Sequence, residues 1–301
     1  MKRVGPRPSE PEGKARTAFV LSGGGSLGAV QVGMLQALIE AGIRPDLLIG
    51  TSVGAVNAAW IGGKPDRDGA LQLGEVWRSL RRQDIFPLSP WSSARGLLGR
   101  CNHVISNASL GEVLRKNLPY QRLEEAAVPV HVIATELKSG RPVLMSTGPA
   151  VPALLASTAI PGIFPPVTIG RRDFIDGGVA NHTPISAALE LGASRIFVLP
   201  VGYPWLQRDQ SNALGMMLHA LARFIEQKLD AEVAAYRHLA DIQVLPTLDA
   251  PAVSPADFNH TDELITRGYR SCRKYLASTP KAPTPAAAKQ LVLAAPAAQA
   301  A

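Results

Sequence analysis

Twice within the first sixty residues a short apolar run breaks at a glycine-containing turn and passes directly into a helical pattern. The first run is "TAFVLS" (17–22), followed by "GGGSLG" (23–28) and by Val32, Leu35, Leu38 and Ile39 on one helical face, closed by Gly42. The second is "DLLIG" (46–50), which runs through Thr51 and Ser52 into a helix built from Ala55, Val56, Ala58, Ala59 and Trp60. Strand, helix, strand, helix at this pitch predicts an α/β fold on a parallel sheet with right-handed crossovers. Consecutive βα turns then fall at the same sheet edge, so the residues of the two turns are expected to be neighbours.

The alternation continues down the chain. "VPVHVIATEL" (128–137) predicts a buried strand, and Ser139-Gly140 turns it towards "PVLMS" (142–146). "PALLASTAI" reads as a helix ended by Pro161-Gly162, and residues 167–179 as two short strands leading to Asp176-Gly177-Gly178. A helix (184–192), the strand "RIFVLP" (195–200) and a long helix from about 210 to 236 follow. Leu214, Met217, Leu218, Leu221 and Ile225 of that helix form an apolar stripe, read as a core face because the opposite side is of mixed charge. "IQVLP" is the last strand and residues 256–278 the last helix. Residues 1–16 read as a disordered leader, 17–278 as one domain, and 279–301 as an Ala/Pro-rich disordered tail. Residues 81–108, rich in Pro, Ser, Arg and Trp, read either as a loop or cap over the sheet edge or as a long insertion.

Charge narrows the partners. Lys plus Arg is 31 and Asp plus Glu is 24, a net +7, but the excess lies in scattered pairs such as Arg81-Arg82 and Arg171-Arg172. Without a basic stripe or interleaved aromatics, no nucleic-acid partner is expected. Two cysteines, Cys101 and Cys272, offer neither a disulfide framework nor metal spacing, which fits a reducing, cytoplasmic setting. The leader lacks the apolar region of a secretory signal. No run of about 18 apolar residues exists, so any membrane contact is expected to be peripheral. No metal or other cofactor is expected.

Three motifs carry chemistry. In Gly50-Thr51-Ser52-Val53-Gly54 a serine follows a strand and opens a helix. A nucleophile elbow needs small residues two positions to either side, and a helix N-terminus favours developing negative charge. A tight turn with a helix-capping serine fits the same five residues equally well. In "SGGGSLG", the N–H groups of Gly23, Gly24 and Gly25 can converge on an anion. Gly23, Gly25 and Gly28 also match G-x-G-x-x-G, but a dinucleotide site needs an acidic residue at the end of the second strand. That stretch reads Ile49-Gly50-Thr51-Ser52, with Asp46 at the strand's start. A P-loop fails because no Lys-Ser/Thr follows. In "FIDGGVANHTP", Asp176 ends an apolar strand before two glycines; alone, this is most simply a turn aspartate bonding its own backbone.

A serine nucleophile needs a base. In the order Ser, Asp, His the candidates are His182, His219, His238 and His260. His219 and His238 fall on helical patterns and His260 at a helix start, and none has the loop setting after a late strand that such a base requires. Each is read as a surface or structural residue.

Taken together, "GGGSLGAVQVGML", "GTSVGA", "DGGV" and "ASTAIPGIFPPV" (156–167) resemble, in order and spacing, the patatin-like phospholipase family over residues 17–201. The resemblance implies a three-layer αβα architecture, with a mostly parallel central sheet and helices on both faces. It implies Ser52 as nucleophile and Asp176 as its direct base, with no histidine required. Backbone N–H groups of the loop Gly23, Gly24, Gly25 and Ser26 would hold the oxyanion, and Gly50, Gly54, Gly177 and Gly178 would support elbow and dyad. The implied substrate is a lipid or fatty-acyl ester, cleaved by an acyl hydrolase without a cofactor. Burial should raise the pKa of Asp176 towards a useful base. The chain departs from the family at Leu27, where many members carry Arg or Lys. Two other readings stay open: an acyl transferase using the same elbow with His131 or His103 as base, and a non-catalytic acyl-lipid binder.

Overall fold

In the computed structural model, which describes residues 15–87, 103–202, 213–247 and 253–279, alternate residues of each central strand point to opposite faces of one sheet. The strands are β1 (Thr17–Leu21), β2 (Leu47–Thr51), β3 (Val130–Glu136), β4 (Pro142–Met145), β5 (Val167–Ile169), β6 (Arg172–Asp176), β7 (Arg195–Leu199) and β8 (Asp241–Val244). Among the described residues, the helices of four residues or more are α1 (Gly28–Glu40), α2 (Val53–Gly63), α3 (Arg67–Ser79), α4 (Arg82–Ile85), α5 (Ala108–Asn117), α6 (Ala150–Ser157), α7 (Ile185–Glu190), α8 (Ala213–Tyr236) and α9 (Thr261–Ser278).

Phe19, Leu21, Leu48, Val132, Phe197 and Leu199 bury into one apolar cluster with α1, α2, α3, α5, α6 and α9. Their neighbours Ala18, Val20, Leu47, Ile49, Ile196 and Val198 bury into another with α7 and the second half of α8. The two-residue period of a strand thus feeds two helical layers, and the molecule has the three layers expected.

The sheet has eight strands in the order β5-β6-β3-β2-β1-β7-β8, with β4 paired to β3 off this path. The run β3-β2-β1-β7-β8 is parallel, whereas β4 and β6 pair with β3, and β5 with β6, in antiparallel sense. The chain starts at the sheet's middle, builds outward through β2 and β3, and returns to the other side of β1 with β7. Loops at the carboxyl ends of strands beside such a reversal are where α/β sheets hold ligands.

Local signals account for most boundaries. Gly42, at φ 77°, ends α1. Its N–H bonds Ile39 O and the Ile43 N–H bonds Leu38 O, a Schellman closure. Residues 67–79, to which no element is assigned from sequence, form α3: the Asp66 side chain caps the Gly69 N–H at 2.7 Å, and Ala70, Leu73 and Trp77 face the core. Helices α1 and α9 cross with their backbones in close approach at Gly33 and Gly268. A Cβ at Gly33 would lie 2.1 Å from Ile265 O, and one at Gly268 2.4 Å from Val30 O.

The expected leader, the middle of the 81–108 cap and the tail lie, save for their flanking residues, outside the described residues. So do the side chains of Leu214, Met217, Leu218 and Leu221; in α8 the core contacts described come from Leu229, Val233 and Tyr236. No helix among the described residues is long and apolar enough to cross a membrane.

Candidate active site

Ser52 is the first residue after β2 and has φ 55° and ψ −126°, the single non-glycine residue with positive φ among those described. Such a backbone costs of order 1–3 kcal/mol and persists only where its surroundings enforce it. Here they do. A Cβ at Gly50 would fall 2.3 Å from Gly54 O, and one at Gly54 would fall 2.4 Å from Leu21 O. Only glycine lets the strand reverse into α2 this tightly. The Ser52 N–H donates to Ser157 Oγ at 2.8 Å, and the Ser157 hydroxyl donates to Ile133 O at 2.6 Å, which pins the turn to β3. The Ser52 side chain makes no capping hydrogen bond to α2. Its hydroxyl instead donates to Asp176 Oδ2 at 2.6 Å.

Asp176 ends β6. Its other carboxylate oxygen, Oδ1, accepts the Gly178 N–H at 2.7 Å, so the aspartate makes the turn contact expected of Asp-Gly with one oxygen and meets the serine with the other. A Cβ at Gly177 would lie 2.2 Å from Ile133 O, and one at Gly178 3.0 Å from Asp176 Oδ1. Thr135 Oγ1–H donates to Asp176 O at 2.9 Å and fixes the strand end. Burial pushes the Asp176 carboxyl up to about 6, although the hydrogen bonds from Ser52 and Gly178 pull the other way.

The glycine loop runs beside this pair. A Cβ at Gly23 would stand 3.3 Å from Ser52 Cβ. Gly24 (φ 151°) and Gly25 (φ 61°) take conformations that L side chains rarely adopt. Their N–H groups have no partner among the described residues, and Gly25 lines the same cavity as Ser52. The expectation for Ser26 needs correction: its N–H is committed to Pro255 O at 2.7 Å and its hydroxyl donates to Ser254 O at 3.0 Å. The Gly23 N–H is turned to His182 O at 3.4 Å. Of the four loop N–H groups, those of Gly24 and Gly25 alone remain without a partner among the described residues. Leu27 is fully buried in the larger apolar cluster.

From Ser52 an apolar cavity opens under α2, α3 and α5. Val56, Trp77, Leu114, Ile160, Phe164 and Phe258 are among its walls. Phe86 stacks on Phe164 with ring centres 5.5 Å apart, and Trp77 on Phe258 at 6.1 Å.

The histidines divide. His131 lies on β3 opposite Ile49, three residues before Ser52, and its Nδ1 meets Ser146 Oγ at 2.7 Å. His103 is half-buried and bridges to Gly162. His182 reaches the site, as its sequence setting did not suggest. It is buried, and its ring lies 3.1 Å from a Cβ built on Gly23 and 3.2 Å from one built on Gly178. Burial, with Lys228 nearby, lowers its pKa to about 4, so it is neutral at neutral pH. His238 follows the end of α8 and His260 precedes α9; the side chain of His219 lies outside the described residues. Among the described residues no group of three or more His, Cys, Asp or Glu is placed to hold a metal.

The sequence model of the patatin-like phospholipase family matches residues 19–189. The chain is 26% identical over 278 residues to the lysophospholipase nte1 of Aspergillus terreus, covering 86% of this chain and 18% of that one. It is 27% identical over 287 residues to patatin-like phospholipase domain-containing protein 7 of Mus musculus, covering 85% and 20%. It is 30% identical over 172 residues to an NTE family protein of Mycobacterium bovis, covering 57% and 45%. The chain thus spans less than half the length of each of these relatives. Human GIVD cytosolic phospholipase A2 shares the fold, with a TM-score of 0.53 at 11% identity over 93% of this chain and 60% of that one.

Proposed function

The chain belongs to the patatin-like phospholipase family, and from that premise we propose that it is a serine acyl hydrolase, acting on carboxylic esters of lipids through Ser52 and Asp176. The observation that carries the proposal is the 2.6 Å hydrogen bond from Ser52 Oγ to a buried carboxylate, made at the mouth of an apolar cavity.

The Ser52 oxygen attacks the ester carbonyl carbon while its proton passes to Asp176 Oδ2. The carbonyl oxygen becomes an oxyanion held by the N–H groups of Gly24 and Gly25, fixed donors that need no reorganisation as charge develops. Collapse of the tetrahedral intermediate breaks the ester bond, and the departing alcohol or lysophospholipid takes the proton from Asp176. Water then adds to the acyl-Ser52 carbonyl and gives its proton to Asp176; collapse of this second intermediate breaks the ester bond to Ser52, Asp176 returns the proton to Ser52 Oγ, and a fatty acid is released. A carboxylate at its ordinary pKa is a feeble base for this work; raised to about 6, it lies near the optimum for neutral pH. The cavity receives the acyl chain, and the 17–278 segment supplies every part named.

The same elbow would serve an acyl transferase if an alcohol replaced water, but its histidine candidates are placed elsewhere: His131 at Ser146 and His103 at Gly162. The test is hydrolysis of a panel of phospholipids, lysophospholipids and neutral esters by wild type and Ser52→Ala, in EDTA. Release of fatty acid by wild type alone, with a fluorophosphonate labelling Ser52, supports the proposal. Equal release by both proteins, or loss of activity to the chelator, refutes it.

A further inference from the structure

Behind the dyad runs a line of buried side chains that the chemistry above does not use. Trp77 Nε1–H donates to Asn57 Oδ1 at 2.8 Å. Asn57 Nδ2 donates to Gly28 O and to Gln31 Oε1, each at 3.0 Å. Gln31 Nε2 donates to Ser22 O at 2.8 Å and to Leu199 O at 2.9 Å. Both amide groups are fully buried, and every side-chain donor and acceptor group in them has a partner. Polar networks this deep are costly unless complete, and a complete one holds its members in one arrangement.

What it holds is the glycine loop, by both ends. Ser22 immediately precedes Gly23, and Gly28 immediately follows Leu27. The grip comes from α2, the helix that Ser52 opens, and from α1. The far end of the line is Trp77, whose indole forms a wall of the cavity, stacks on Phe258 and lies 3.1 Å from a Cβ built on Gly28.

We propose that Asn57 is a positioning residue that couples the filling of the cavity at Trp77 to the placement of the oxyanion donors, so that a long acyl chain raises turnover as well as binding. This rests on the hydrolase reading above. A chain seated against Trp77 holds the indole in the orientation that bonds Asn57, and Asn57 then holds Gly28 O and Gln31 with Gly24 and Gly25 facing the carbonyl. A short chain leaves the cavity face of the indole without that contact, so its hold on Asn57 rests on the stack with Phe258 and on the hydrogen bond alone. Contacts remote from the scissile bond are in this way used at the reacting centre, which appears in kcat and not in KM alone.

The experiment measures kcat and KM for p-nitrophenyl palmitate and p-nitrophenyl butyrate with wild type, Asn57→Leu and Trp77→Phe, each checked by thermal melting. Wild type is expected to turn over the palmitate ester faster, and the ratio of the two kcat values to fall by about tenfold in either variant, the scale of one lost buried hydrogen bond. The palmitate KM should change less than the ratio, because the apolar walls remain. Trp77→Phe keeps an aromatic wall but removes the donor together with part of the indole's volume, so the palmitate KM reads the change in the wall and the kcat ratio reads the lost bond to Asn57, and it decides the matter if Asn57→Leu does not fold. A kcat ratio unchanged from wild type in a folded variant overturns the coupling, as does an equal fall for both esters, which marks the network as merely structural. No turnover of either ester by wild type is a different failure, since it removes the hydrolase reading and the coupling with it.

Discussion

Ser52 and Asp176, 124 residues apart in the chain, meet because their strands abut end to end along the same edge of β3. Thr51, the last residue of β2, pairs with Ile133, and Asp176, the last residue of antiparallel β6, pairs with the next residue, Ala134. Strand β4 occupies the opposite edge, pairing with Val132 to Thr135. The first residue beyond β2 therefore confronts the last residue of β6, and the 2.6 Å contact is built into the register. A one-residue slip of β6 would turn Asp176 to the other face.

The strained backbone at Ser52 yields a prediction that separates chemistry from stability. Ser52→Ala and Ser52→Gly should both abolish ester hydrolysis, but only glycine relieves the cost of φ 55°. Ser52→Gly should therefore exceed Ser52→Ala in stability by about 1 kcal/mol, or roughly 2–4 °C in Tm. Calorimetry on both variants checks it, and a lower Tm for glycine would show that the turn stores no strain.

Asp176 sets the pH response. Its carboxyl titrates near 3.8 when exposed and about 6 when folded. Between those values the folded state holds a proton that the unfolded chain has released, so stability falls as pH rises through this window, by about 3 kcal/mol at 1.36 kcal/mol per unit. Activity moves the other way: kcat/KM should rise with pH along a one-proton limb centred near 6. Asp176→Asn should lose the limb together with the activity and should resist urea better than wild type at pH 8, with that advantage shrinking towards pH 4. An Asn variant equally stable relative to wild type at both pH values would remove the buried-base argument.

Features set by near neighbours in the chain were legible in the sequence. The elbow glycines, Asp176-Gly177-Gly178, the closure of the first helix at Gly42 and the strand alternation all depend on residues a few positions apart. Asp66 is an equally local signal for α3, an N-cap followed by apolar residues at helical spacing. Other features depend on distant segments and had no local trace. Ser157 is a helical serine until β3 brings Ile133 beneath it. Ser26 looked like a donor because nothing nearby announces that Pro255, far along the chain, takes its N–H. His182 looked structural until Gly23 and Gly178 were seen to pack on its ring.

Gly54 offers a steric test of the elbow. A Cβ there would lie 2.4 Å from Leu21 O and 2.5 Å from Ser22 O, so Gly54→Ala must push α2 away from β1. Overpacking of this kind costs about 1–3 kcal/mol, and a shift of several tenths of an ångström at Ser52 would also spoil its approach to Asp176. The variant should unfold at lower urea and lose at least tenfold in kcat. Wild-type stability with wild-type kcat would mean that the turn is looser than its geometry indicates.

Val56 tests where the acyl chain goes. It lies one helical turn beyond Ser52 on α2, half-buried, with its side chain in the cavity wall. Val56→Trp narrows the cavity one helical turn beyond the serine while leaving Ser52, Asp176, Gly24 and Gly25 themselves unchanged. Long chains would then meet a blocked channel, whereas a chain of two to four carbons would still reach the elbow. The expected outcome is a fall of at least tenfold in kcat/KM for palmitoyl esters, with acetyl or butyryl esters cleaved at a rate within a few-fold of wild type. A parallel loss on both substrates would place the damage at the dyad, and no loss on either would mean that the chain leaves Ser52 by another route.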